Sequence, residues 1–249
     1  MKKTPKLSII MPTYNRAQFI KDAIDSVLSQ DYKDFELIII NDGSTDNTRE
    51  IVEKYQKSDP RIIYLEQKNK GEYATMNRGF SLAKGRYITF VHSDDISAPD
   101  SLGSRVKCLD ENPEIDIVHG NLVKIDMSGR EIQRYKAGDE KDGKKILKGY
   151  CIKNLWEGQK IPVNYLTLMM RREATEKIGK MDETIRYAGD LDWMMRAMLK
   201  CTFKKVPKVI CFYRRHKKAI SKIIERGNQP LIELTRKIQL RHCSELKEN

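Results

Sequence analysis

With 249 residues, of which 39% are hydrophobic and 33% charged, the chain has the apolar content for one large folded domain under a heavily solvated surface. That composition, free of repeats and low-complexity runs, excludes a disordered chain and a solenoid. The net charge of +12 is lopsided: 14 Lys and Arg stand against 4 Glu from Lys200 onward, so the earlier residues are near neutral and a nucleic-acid-binding face over the fold is not expected.

Leu7–Met11 and Leu37–Ile40 are short β-branched runs that end at Pro12 and Asn41-Asp42-Gly43, which predicts buried strands opening into loops. Between them Ile20, Ala23, Ile24, Val27 and Leu28 recur at helical spacing, predicting a helix over about 17–30. Asp46 or Asn47 caps a second helix through Ile51, Val52 and Tyr55. Arg61–Leu65 and Tyr87–Val91 read as strands, with Gly71–Ala83 helical between them. Alternating strands and helices imply parallel pairing, with ligands bound beyond the carboxyl ends of the strands. Three polar loops fall at that edge: Thr13-Tyr14-Asn15, Asn41-Asp42 and Asp94-Asp95.

Farther on, Pro99 opens a helix with Leu102, Val106 and Leu109 inward, and Ile115–Val118 is a strand. Residues 126–160, rich in Gly, Lys and acids, read as hairpins and a mobile surface segment. Val163–Met170 and Val209–Tyr213 read as strands, Asp190–Leu199 as a helix, and Pro230 starts a last helix with Leu231, Leu234 and Ile238 on one side. No run reaches the roughly 18 apolar residues of a membrane span, and Leu7–Met11 is too short for a secretion signal. Five scattered cysteines without a CxxC pair suit a reduced, cytoplasmic setting.

The chemistry concentrates in carboxylates. Asp94-Asp95 directly follows an apolar strand, where a pair of acids can hold a hard divalent cation or merely solvate a loop. Asp42 at its strand end can accept from a nucleobase edge or form an Asx-turn. Asp190 and Asp192 share a helical turn beside Trp193, suited to a general base or to capping alone. Neither a G-x-G-x-x-G nor a P-loop is present.

Taken in order, several segments resemble the inverting family-2 glycosyltransferases over roughly residues 6–216. They are Ser8-Ile9-Ile10-Met11-Pro12-Thr13-Tyr14-Asn15-Arg16, Asn41-Asp42-Gly43-Ser44-Thr45-Asp46, Asn69-Lys70-Gly71 through Asn77 with Gly79, Ala83–Ile88 leading to Ser93-Asp94-Asp95, Met181-Asp182-Glu183 and Gly189-Asp190-Leu191-Asp192. The resemblance implies an α/β fold of GT-A type, a Rossmann-like mixed sheet flanked by helices. It would span residues 1–221, with a nucleotide-binding half at 1–95, an acceptor half at 96–221 and a basic helical extension at 222–249. It implies transfer from a nucleoside-diphosphate sugar, a UDP-sugar, to a saccharide or lipid-linked acceptor with Mn²⁺ or Mg²⁺. Pro12, Thr13, Tyr14, Asp42 and Asn77 would line the nucleobase pocket, with Asp94 on the ribose. Asp95 and His216 would bind metal, and Asp190 would be the base. The metal motif carries Ser93 in place of its first acid, and Gly189 stands where a Glu is usual, so an assisting carboxylate would be Asp192 or Glu183. The basic tail suits docking on the anionic inner face of a membrane. A metal-dependent nucleotidylyltransferase and a non-enzymatic basic nucleic-acid binder are the alternatives, opposed by the missing phosphate loop and by charge confined to the tail.

Overall fold

The computed structural model describes residues 4–157, 163–216 and 229–245, with most of their side chains. Strands β1 (Leu7–Thr13), β2 (Phe35–Asn41), β3 (Ile62–Glu66) and β4 (Tyr87–Phe90) alternate with helices α1 (Ile20–Leu28), α2 (Thr48–Ser58) and α3 (Glu72–Leu82). They pair in parallel in the order β3-β2-β1-β4, as the alternation predicts. Next come β5 (Ile96–Ser97), α4 (Ser101–Glu111), β6 (Ile117–Ile125), β7 (Glu131–Tyr135) and α5 (Gly143–Glu157). A 3-10 turn (Tyr165–Thr167), β8 (Met169–Arg171), α6 (Arg172–Ile178), α7 (Gly189–Lys200), β9 (Phe203–Arg214) and α8 (Gln229–Glu245) complete the described chain. The sheet continues β4-β8-β6-β9-β5 with mixed directions, and β7 hangs on β6.

Side-chain alternation along the strands splits the core in two. Ile10, Ile38, Ile40, Ile88 and Phe90 face one side, where α3, α5 and α7 supply Met76, Leu147 and Trp193. Ile9, Met11, Leu37, Ile39 and Tyr87 face the other, beneath Ile24 of α1, Val52 of α2 and Leu102 of α4. Residues buried on both faces explain why β2 reads as an unbroken apolar run.

Three expectations need correction. Of the segment 126–160, the described residues 126–157 complete a β6–β7 hairpin and form the 15-residue helix α5, whose Ile146, Leu147 and Tyr150 reach the core; its Lys-rich outer face hides the periodicity. Val163–Met170 is not one strand, because the Asn164 side chain accepts from Leu166 N and winds a 3-10 turn before β8 begins. Finally, Cys243 is disulfide-bonded while Cys108, Cys201 and Cys211 are free, so a fully reduced chain does not hold. Helix α8 returns onto α5 and α7, buries Ile238 to 6% exposure and leaves Lys237 and Arg241 outside. That part of its apolar face is spent on the domain and is not free for a membrane; Leu231 and Leu234 lie outside the described side chains.

Gly85 shows how tightly β4 is set against β1. Its N–H donates to Ser8 Oγ at 2.8 Å, and an added Cβ would lie 2.5 Å from Ser8 N and 2.6 Å from the Leu7 carbonyl carbon. Backbone cannot yield as a side chain can, so Gly85→Ala should cost about 2–3 kcal/mol, a fall in Tm of roughly 4–12 °C. Thermal unfolding followed by circular dichroism is the measurement; an unchanged midpoint would contradict this packing.

Candidate functional site

The carboxyl ends of β1, β2 and β4 bring their three polar loops together, stitched by hydrogen bonds between loops. Thr45 N donates to Asn15 Oδ1 (2.8 Å) and Asn15 N to Ser44 Oγ (2.9 Å), with Asn15 in the left-handed region at φ 52°. Ala17 N donates to Asp46 Oδ2 at 3.0 Å, and Arg16 Nε crosses to Asp94 Oδ2 at 3.0 Å.

Asp42 is 4% exposed and accepts from Gln67 Nε2 (2.8 Å), Lys70 N (2.9 Å) and Gly71 N (2.9 Å). It therefore fixes the loop that enters α3. Pro12 is half-buried, Thr13 is buried with an unpartnered Oγ1, and Tyr14 stands 44% exposed at the rim. Asn77, expected in the same pocket, is differently employed. Its Nδ2 donates to Met181 O (2.9 Å) and Glu183 Oε1 (2.8 Å), while its Oδ1 accepts from Met181 N (2.9 Å). The amide ties α3 to the segment after α6, with both hydrogens of Nδ2 donated there.

Asp94 and Asp95 differ sharply. Burial alone would raise Asp94, but the hydrogen bond with His216 and the Arg16 charge outweigh it and hold the carboxyl down to about 2. His216 Nε2 lies 3.0 Å from Asp94 Oδ2, its ring 4.7 Å from that of Phe19. Burial and the Asp94 charge push Asp95 well above the usual carboxylate range. Asp95 is 1% exposed; its Oδ1 accepts from Arg214 N at 3.0 Å, and its Oδ2 has no partner.

A buried carboxylate oxygen without a donor is costly unless something else satisfies it. His92 stands beside Asp95, its buried Nε2 facing Glu72 Oε1 at 3.7 Å without a hydrogen bond. His92, Asp94 and Asp95 each offer a ligand atom within 4.8 Å of the others, a span that a divalent cation can close with modest adjustment. The donor set fits such a cation. Among the described residues the group within this span is His92, Asp94 and Asp95, and His216 hydrogen-bonds Asp94 from beside it.

Asp190 sits in the first turn of α7, after Ala188 in the left-handed region at φ 65°. Burial raises its carboxyl above the usual range, offset in part by the Leu191 N–H and by His92. Neither expected assistant is free: Asp192 pairs with His242 Nε2 (2.8 Å) and Arg196 Nε (2.9 Å), and Glu183 holds Asn77. Trp193 is buried beside Phe80 and donates to Gly179 O at 3.0 Å, so it packs in the core.

Two residues at the site escaped sequence reasoning. His92 adjoins the acid pair and was visible in the motif. Glu72, first residue of α3, places Oε1 3.7 Å from His92 Nε2, and burial raises its carboxyl, with His92 opposing and Asp190 and Asp94 adding to the rise. Only the fold brings it there.

The Glycosyl transferase family 2 model matches residues 8–179, so Asp190 and His216 fall beyond it. An uncharacterized glycosyltransferase of Methanocaldococcus jannaschii is 30% identical over 197 residues, 78% of this chain and 65% of that protein. Glycosyltransferase GlyA of Streptococcus pneumoniae is 34% identical over 156 residues, 63% of this chain and 22% of GlyA. The chain thus spans less than two thirds of these curated relatives. Among solved structures, S. aureus TarS 1-349 in complex with UDP-GlcNAc superposes with a TM-score of 0.69 at 22% identity, over 86% of this chain and 60% of that one. Mannosyltransferase PcManGT from Pyrobaculum calidifontis, in complex with GDP-Man and Mn²⁺, superposes at 0.63 with 17% identity, over 98% of this chain and 74% of that one. Both likenesses are of fold, the GT-A type.

Proposed function

The chain belongs to glycosyl transferase family 2, and from that premise we propose that it is an inverting glycosyltransferase drawing on a UDP-sugar. The observation that carries the reading is the unsatisfied Asp95 Oδ2 at the strand edge where three polar loops meet. Pro12, Thr13, Tyr14 and Asp42 line the nucleobase pocket, and Asp94 meets the ribose. Asp95, Asp94 and His92 would hold Mn²⁺ or Mg²⁺, which when bound neutralises charge on the departing diphosphate. His216 orients Asp94 and is not a ligand in this reading.

Asp190 accepts the proton of the acceptor hydroxyl, on a saccharide or a lipid-linked glycan. That oxygen forms its bond to the anomeric carbon as the bond to the diphosphate oxygen breaks, and the electron pair leaves with the UDP. One displacement from the opposite face inverts the centre. A raised carboxyl is the better proton acceptor for this step, since general-base efficiency grows as the base's affinity for the proton approaches its task. The TarS complex supports a uridine donor, whereas the GDP-Man complex of PcManGT marks the competing one.

The test incubates the protein with UDP- and GDP-sugars, Mn²⁺ and mixed saccharide acceptors, and NMR reads the anomeric configuration of the first product. Turnover of a UDP-sugar with inversion is expected. Retention, or use of GDP-sugars alone, would refute the reading.

A further inference from the structure

The carboxylates of the site are paired unevenly, and the residue between them is an imidazole. His92 stands at the end of β4, two residues before Asp94, with a ring nitrogen in the same 4.8 Å group as the Asp94 and Asp95 oxygens. Its Nε2 is buried without a hydrogen bond, and Glu72 Oε1 is 3.7 Å away. The Tyr165 ring lies edge-on at 6.1 Å and closes one side. Glu72 is itself held, because Asp42 accepts from Lys70 N and Gly71 N immediately before it. Tyr73, the next residue, accepts from Gly189 N at 2.9 Å. Glu72 therefore cannot drift from His92 without disturbing the pocket floor and the start of α7.

We propose that His92 is a nitrogen ligand of the divalent cation through Nδ1, and that Glu72, facing Nε2 at 3.7 Å, is the positioning carboxylate that fixes its ring. The inference rests on the cation site of the reading above but concerns metal binding alone. A carboxylate that accepts from the second nitrogen of a ligating imidazole sets its tautomer and orientation, and losing it typically weakens metal binding by 10–100-fold. Mixed nitrogen and oxygen ligands also favour transition-metal ions over Mg²⁺, which prefers oxygen and water. Mn²⁺ should therefore bind more tightly than Mg²⁺. His92→Asp would level that difference, since an all-carboxylate set suits both ions.

Pulsed EPR of Mn²⁺ bound to the full chain reads the ligand directly, first with the metal alone and then with UDP added. Wild type and His216→Gln should both show ¹⁴N modulation from a coordinated imidazole. His92→Asp should keep Mn²⁺ but lose the modulation and bind Mg²⁺ nearly as well. Glu72→Gln should retain the modulation while Mn²⁺ affinity falls by about tenfold or more. The ligand assignment is overturned by modulation that is absent from wild type, that survives in His92→Asp or that disappears in His216→Gln, and by a failure to bind Mn²⁺ in both conditions. An unweakened Glu72→Gln overturns the positioning role. These signals need no sugar transfer, so a protein that binds Mn²⁺ as described yet turns over no nucleotide-sugar would refute the functional reading and leave this one standing.

Discussion

Asp190→Asn should lower the rate of transfer by about 10²- to 10⁴-fold, the usual worth of a positioned general base, and leave UDP affinity unchanged. The amide is the same size as the carboxylate and keeps an oxygen for the Leu191 N–H that now donates to Oδ1 at 2.9 Å. The backbone of α7 is also held independently, through Gly189 N on Tyr73 and Trp193 on Gly179. What the substitution removes is the capacity to accept a proton. Steady-state kinetics at saturating donor, beside calorimetry with UDP, separates the two effects. Undiminished turnover would place the base elsewhere, and parallel loss of UDP binding would show that the variant had disturbed the pocket.

Asp95→Asn is the second substitution of large effect, acting at the other end of the reaction. The side-chain carbonyl can still accept from Arg214 N, so the junction with β9 survives. The carboxylate oxygen of Asp95 that has no hydrogen-bond partner becomes an amide nitrogen, and the strongest oxygen that the site would offer a cation is lost. A bound cation contributes several kcal/mol to holding a diphosphate, so the gain in UDP affinity conferred by Mn²⁺ should shrink by at least about 10²-fold. Affinity measured without metal should hardly move, and removing one buried charge should not lower Tm. Calorimetry with and without Mn²⁺ gives the comparison; an intact metal-dependent gain would end the assignment of Asp95 as ligand.

Local pattern carried the first half of the molecule. The buried runs of β1 and β2, the 3.6-residue rhythm of Ile20, Ala23, Ile24 and Val27, and the turn residues after each strand are all properties of neighbours in sequence. The sheet edge that carries Asp42 and Asp95 followed from parallel pairing alone. Partnerships between distant residues were hidden. Asn77 looks like a pocket residue until Met181, 104 positions later, takes both ends of its amide. Asp192 looks like an assistant to Asp190 until His242 arrives from α8. Glu72 reads as an ordinary first-turn acid, which the helix dipole favours in any case. Helix α5 was missed for a different reason: few apolar positions among many lysines suffice when the helix lies over a core that other elements have built.

Strand β9 has a bearing on how the molecule assembles during synthesis. It lies inside the sheet, between β6 and β5, although it is the last strand along the described chain. The four parallel strands can associate once residue 90 has left the ribosome, but Asp95 Oδ1 accepts from the backbone N–H of Arg214, 119 residues later. Contacts of such sequence separation form late and slow the overall rate. A nascent chain should thus order the loop of Asp42 well before that of Asp95, and the interval between the two is set by the time needed to translate the intervening residues and seat β9.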